Sequence, residues 1–340
     1  MPSPVLTTRG RIAVGTGLSL GAAVGMGATA QAADFVVTNT LDAGDGSLRK
    51  AIADSQAAGG PDRVLFQSGL TGTITLGSQL DITQPLEILG PGAGSLTVSG
   101  NDANIVINID SAVGDDVKVS GLNLIDGHST SDGGVIASVD ADLTIQSSTI
   151  SGGTADIGAG VYSNLGTTTI YDSTISGNNA TEDGGGIYSL DADLQIKGST
   201  ISGNGAPYGA GIHVKNDDTF IHSSTISGNT ATAFGGGVWA DGGTLAIYSS
   251  TISGNAAAYG GGVTAAGHDP DPGVANTIVA NNTANSELDL RDAGGDPFRV
   301  AFSLVESPAG GSIIDFIPGS NVLSVDPQLG PLAANGGTQT

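Results

Sequence analysis

The chain has 340 residues, with 10 Lys and Arg against 33 Asp and Glu and a formal charge of −23 at pH 7. Between Arg63 and Arg291 the only cations are Lys118, Lys197 and Lys215, which excludes a phosphate-neutralising nucleic-acid surface and electrostatic attachment to an anionic membrane. The absence of cysteine removes disulfides, thiolate metal sites and cysteine nucleophiles, while 56 glycines and 39% hydrophobic residues indicate a turn-rich folded protein.

Residues 1–32 read as a secretory signal peptide. Arg9 and Arg11 precede an apolar run from Ile12 to Ala28, and Ala30-Gln31-Ala32 supplies small residues for cleavage after Ala32. A transmembrane anchor is the alternative, disfavoured by the short run and by Gly at 15, 17, 21, 25 and 27. No later segment is long and apolar enough to span a bilayer, so the expectation is a mature chain without a membrane span, secreted or at the cell surface. Residues 33–97 follow as an N-terminal cap and first coils. In Gly46–Asp54, Ser47 is placed as a helix N-cap and Leu48 and Ile52 share one face, the only good helix signal in the chain.

Residues 98–304 are repetitive. Ser-Thr-Ile-Ser-Gly recurs with its Ile at 150, 175, 201, 226 and 252, and weaker copies centre on Val98, Leu124, Ile278 and Leu304, spaced by 25 or 26 residues. A second column follows Gly-rich segments at Val135, Val161, Ile187, Ile212, Val238 and Val263, and a third is Ile145, Ile170, Ile196, Ile221 and Ile247. Three short β-branched strands per period, separated by Gly, Asn and Asp, predict strand and turn. A period this short fits neither a helical pair nor a propeller blade; it predicts an all-β, three-stranded parallel β-helix in which each coil buries its Ile and Val against its neighbours. Asn101, Asn178, Asn204, Asn229, Asn255 and Asn281, each three residues after an anchor, are expected to stack as a ladder of side-chain amides.

Aligning the coils also exposes columns next to inward positions, which alternation turns outward. One reads Ile136, Tyr162, Tyr188, His213, Trp239, Thr264; the other reads Gln146, Tyr171, Lys197, His222, Tyr248. Aromatic faces flanked by hydrogen-bonding groups suit sugar rings, and a face along a rod suits a polymer; cross-strand stacking explains the same residues. Asp191, Asp193, Asn216, Asp217 and Asp218 share a turn on two successive coils and are candidate oxygen ligands for Ca²⁺, or a solvated acidic turn. Thr97, Thr149, Thr174, Thr200, Thr225, Thr251 and Thr277 form a further ladder, read as ordinary strand filling or as an ice-binding array. Residues 305–340 form a C-terminal segment that reads as truncated, ending on Asp326-Pro327-Gln328-Leu329-Gly330-Pro331-Leu332 and a polar tail without a cap.

Taken together, these residues resemble a family of secreted bacterial right-handed parallel β-helix proteins in the pectate-lyase-like superfamily. Gly46-Ser47-Leu48-Arg49-Lys50-Ala51 is similar to the Ser-Leu-Arg-acid-Ala core of the CSLREA motif, lacking its Cys and carrying Lys50 at the acid. Residues 326–340 resemble the segment before the sorting region of choice-of-anchor proteins, and the alternation of Gly-Gly-Gly-(Ile/Val) with Ile-Ser-Gly-Asn resembles polymorphic outer-membrane adhesins. The resemblance implies a right-handed helix and export. It leaves the chemistry open, because such proteins include lyases, hydrolases and members without known activity. The expectation is a non-catalytic, adhesin-like protein that needs no cofactor and presents Tyr162, Tyr188, His213, Trp239, Tyr171, His222 and Tyr248 to a polysaccharide or cell-surface glycan. The alternative is a Ca²⁺-dependent polysaccharide lyase or another pectate-lyase-like carbohydrate-active enzyme; for a lyase, Lys197 would be the base beside Asp193 and Asp218, with the ion among Asp191, Asp193, Asp217 and Asp218. The Arg-x-Pro-x-x-Arg signature of pectate lyases is absent, as are the polygalacturonase motifs.

Overall fold

The computed structural model describes residues 32–268, 271–295, 297–308, 313–330 and 332. All of the expected signal peptide except Ala32 lies outside these residues, as do Pro331 and residues 333–340. Every described strand pair is parallel, and strands from successive coils pair in three long sheets of twelve, eleven and nine strands. One coil runs from Ile136–Val139 in the nine-stranded sheet to Asp142–Gln146 in the twelve-stranded sheet and Thr149–Ser151 in the eleven-stranded sheet. The chain is therefore a parallel β-helix. At about 4.8 Å per rung its eleven-stranded sheet spans roughly 50 Å.

The three apolar columns are its core. Ile145, Ile170, Ile196, Ile221 and Ile247 pair rung to rung on the twelve-stranded sheet, and Ile150, Ile175, Ile201, Ile226 and Ile252 do so on the eleven-stranded one, all fully buried. Register differs from the sequence expectation at three places. Ile136, not Val135, pairs with Val161; Val279, not Ile278, pairs with Ile252; and Val305, not Leu304, follows it. In each pair of candidates both residues are apolar, and the inward position goes to whichever one the loop length delivers to the rung. The coil joining Asn255 to Asn282 is 27 residues long, and that extra residue shifts the following anchors.

The N-terminal end is closed by α1 (Leu48–Ala58), the one α-helix among the described residues. Ser47 Oγ accepts the Lys50 N–H at 3.2 Å, as an N-cap should, and Leu48, Ala51 and Ile52 are buried against the first coils. Arg49 ties the helix down through Asp42 Oδ1 at 2.6 Å and the carbonyls of Ser78 and Gln79. No helix among the described residues is long and apolar enough to cross a membrane.

Two ladders of buried hydrogen bonds run along the rod. Asn178, Asn204, Asn229 and Asn255 each donate Nδ2 to Oδ1 of the next asparagine at 2.9–3.0 Å, ending on Asn282. Each also donates to a carbonyl on the coil behind, as Asn229 does to Ile201 O at 3.1 Å. Asn282 takes the place expected of Asn281, because of the same register shift, and Asn101 stands exposed outside the ladder. Glycine makes the ladder possible: a Cβ on Gly186 would stand 2.5 Å from Gly211 O and 2.9 Å from Asn204 Nδ2. The second ladder starts from the Ser148 backbone N–H and runs through Ser173, Ser199, Ser224 and Ser250, each hydroxyl accepting the backbone N–H of the ladder residue before it at 3.2 Å, and continues through Thr277 and Ser303. Thr277 thus belongs to the interior and not to the outward threonines; Ile278 stands in that column.

Asn229→Ala should strand the Asn204 amide donor, the Asn204 backbone N–H and the Ile201 carbonyl in a buried site, at a cost of roughly 3–5 kcal/mol. Urea unfolding against the exposed control Thr232→Ala, expected within about 0.5 kcal/mol of the parent, checks this.

Candidate functional site

A fourth, short sheet was not anticipated. Thr154–Ile157, Asn179–Asp183, Gly205–Tyr208 and Thr230–Phe234 pair in parallel with register shifts. The Gly, Asn and Asp in these segments read as loop, but Ala155, Ala180, Ala206 and Ala231 are buried in a small cluster of their own. This sheet decides the fate of the first aromatic column. Tyr162, Tyr188 and His213 leave the coil interior, as alternation requires, yet are only 8%, 6% and 4% exposed; Trp239 is half-buried. Ala137, not Ile136, begins this column.

The covered residues form one stack. Tyr162 and Tyr188 lie parallel at 5.9 Å, Tyr188 meets His213 edge-on at 5.0 Å, and His213 stacks on Trp239 at 4.3 Å. Tyr208 and Phe234 of the fourth sheet pack on Trp239 at 5.1 and 6.0 Å, and the Arg291 guanidinium stands over the Phe234 ring at 4.8 Å. Burial, helped by the Asp183 charge, pushes the Tyr188 hydroxyl up to about 12, and Tyr162 is raised for the same first reason. Tyr162, Tyr188 and His213, expected to face solvent, are instead buried packing, while Trp239 keeps a half-exposed ring against the fourth sheet.

The second column does reach solvent. On the outer face of the twelve-stranded sheet Gln146, Tyr171, Lys197, His222 and Tyr248 follow one another rung by rung, and the Tyr171 hydroxyl donates to Gln146 Oε1 at 2.7 Å. Phe220, which the sequence reading missed, stands one row across and is 41% exposed, its ring 6.0 Å from His222 and 5.6 Å from Tyr248. It breaks an otherwise polar row of Thr144, Thr169 and Gln195, and that break was the available signal. Phe220 is followed in its row by Ala246 and Gly273, and Tyr248 in its row by Ala275 and Ala301, and these small residues line a groove of about 480 Å³ with Tyr248, Phe302 and Phe316. Arg299 donates to Asp271 Oδ2 at 2.8 Å in that groove and faces the Phe316 ring at 5.9 Å.

The lyase constellation does not converge. Asp193 and Asp218 flank a shallow cavity of about 230 Å³ with Gln195 and Phe220, but Lys197 lies four residues farther along its strand, Asp193–Lys197, roughly 13 Å away. The acidic turn is likewise dispersed. Asp191 accepts Asn216 Nδ2 at 2.9 Å and Asp218 accepts the Thr244 N–H at 2.9 Å, while Asp217 turns into a buried corner and accepts the Ala192 N–H at 2.8 Å. Among the described residues no three His, Asp or Glu side chains gather where they could hold a metal ion; the alternation that places Asp191, Asp193 and Asp218 outward sends Asp217 inward. Residues 329, 330 and 332 lie beside the threonine face, where Thr225, Ser202 and Ser227 are buried, so no continuous flat threonine array is exposed.

Burial raises Asp217 to about 6, and the Ala192 N–H only partly opposes it. The folded state therefore favours the protonated acid. Its contribution to stability is complete below the ordinary carboxylate range and is lost as pH rises through about 6. Asp217→Asn, which keeps the acceptor for Ala192, should raise the midpoint of urea unfolding at pH 7 and flatten the decline between about pH 4 and 6. Asp289, raised by burial to about 6, should leave a residual slope of the same sign.

No curated protein matches the chain. Residues 103–284, more than half of it, match the family described as the right handed beta helix region, and the parallel coils, the three apolar columns and the asparagine ladder all fall within or run through that stretch. The chain belongs to the right-handed β-helix family.

Proposed function

We propose that the protein is an exported, adhesin-like β-helix that binds a glycan without cleaving it, along the outer face of its twelve-stranded sheet. The observation that carries this reading is the exposed track of Phe220, His222 and Tyr248 leading into the 480 Å³ groove at Arg299 and Asp271. Rings 5–6 Å apart on a flat parallel sheet offer successive platforms for the apolar faces of sugars, and an Arg–Asp pair offers donors and acceptors to hydroxyls. A groove that is open at the sheet face suits a chain rather than a single sugar. With a net charge of −23 the protein repels polyuronates at long range, which favours a neutral glycan.

Incubation with a panel of neutral and acidic polysaccharides, with and without Ca²⁺, tests this by following retention together with the absorbance of unsaturated products. Retention without product is the expected outcome, and Ca²⁺-dependent product would overturn the proposal. Phe220→Ala and Tyr248→Ala should each weaken binding about tenfold, the scale of one lost aromatic contact. Tyr188→Ala should lower thermal stability and leave a smaller effect on retention, since that ring is packed inside.

A further inference from the structure

At the start of the first strand, Asp34–Val37, the backbone N–H of Ala33 donates to Asp62 Oδ1 at 2.8 Å. Asp62 is wholly buried, and its other oxygen, Oδ2, is equally enclosed and accepts no hydrogen bond. A buried carboxylate held by one neutral donor is an unfavourable arrangement, normally relieved by a cation or further donors. Arg63, the cation next in sequence, is already engaged, pairing with Asp34 at 2.7 Å. The adjoining cavity of about 590 Å³ is lined by Ala32, Asp62, Arg63, Glu87, Asp115 and Asp116. The site therefore has one unused acceptor and an excess of negative charge, directly beside a backbone nitrogen.

We propose that Asp62 is the built receptor for the α-ammonium of Ala33, created when the bond between Ala32 and Ala33 is cleaved on export. The step is hydrolysis by a signal peptidase. Water adds across the peptide bond, the new carboxylate departs with Ala32, and the amine stays on Ala33 and takes up a proton. Before cleavage the nitrogen offers Asp62 one N–H; afterwards it offers three donors and a full charge, enough for both Oδ1 and Oδ2. The nitrogen need not move, because the Ala33 carbonyl is already held by the Arg63 N–H at 2.9 Å. Ala32, on the leaving side, is exposed.

The sign of the pH effect follows from the surroundings. Asp62 holds the nitrogen, Glu87, Asp115 and Asp116 line the adjoining cavity, and Arg63 is paired to Asp34, so the α-ammonium should titrate above its ordinary range of about 7.7–8.0. Its contribution to stability is complete below that range and is lost as pH rises through the raised value.

The test starts from the full precursor, exported by a bacterial host. The mass of the recovered protein should show Ala33 as its first residue. That protein is then compared in urea with a form carrying one extra N-terminal Gly, which keeps an ammonium but displaces it from Asp62. At pH 6.5 the extension should lower the folding equilibrium constant roughly tenfold, the scale of a charge-assisted hydrogen bond. This difference should vanish at pH above about 10 and in the Asp62→Asn background. An extension without effect, an equal loss in Asp62→Asn, or a mature chain beginning elsewhere would overturn the proposal. Should Asp62→Asn fail to fold, the pH dependence of the extension effect in the unmutated chain decides alone.

Discussion

The coupling of one asparagine to one glycine per coil is the constraint on which the solenoid depends. An amide can stack inside the turn only where the opposite segment carries no Cβ, and Gly160, Gly186, Gly211, Gly237 and Gly262 each leave that space for Asn178, Asn204, Asn229, Asn255 and Asn282. The two most conspicuous repeats of the sequence are thus two halves of one device. Because the asparagine donates both to its successor and to a carbonyl behind it, each coil satisfies buried groups that its neighbours leave open. The serine ladder does the same for the turn before each anchor.

A directional ladder must end somewhere, and it ends on charge. Asn282 donates to Asp289 Oδ1 at 2.9 Å, and Asp289 Oδ2 accepts the Ser307 N–H at 2.6 Å. A carboxylate can only accept, so it closes a chain of donors that a further amide would merely prolong. The cost is a buried acid pushed up to about 6, chiefly by burial. Asp217 is the same compromise at another corner, in a position that neighbouring coils fill with Ala192 or Gly166.

Much of the fold was legible because a solenoid writes its contacts into the sequence at a fixed spacing: residues one period apart touch. That is why the Ile columns and the order of Tyr171, Lys197, His222 and Tyr248 could be read directly, while the capping helix was legible from its own N-cap and apolar face. Register was less legible, since Ile278 and Val279 are equally apolar and only loop length chooses between them. The fourth sheet was hidden for another reason: its buried residues are alanines among Gly, Asn and Asp, a pattern indistinguishable from loop. Phe220 escaped because it belongs to no column of its own kind.

The candidate site follows from that hidden sheet. Alternation turns two aromatic columns out of the coil, and on composition alone they are equivalent binding surfaces. On one, Tyr208 and Phe234 of the fourth sheet pack on Trp239 and the rings of Tyr162, Tyr188 and His213 are buried, while nothing comparable covers Phe220 and Tyr248 on the twelve-stranded face among the described residues. Which aromatics stay exposed therefore depends on which loop has enough small residues to fold back as strand. Along the exposed face Phe220 gives way to Ala246 and Gly273, and Tyr248 to Ala275 and Ala301, and a groove opens there without an insertion: it arises where large residues are followed by small ones on successive coils.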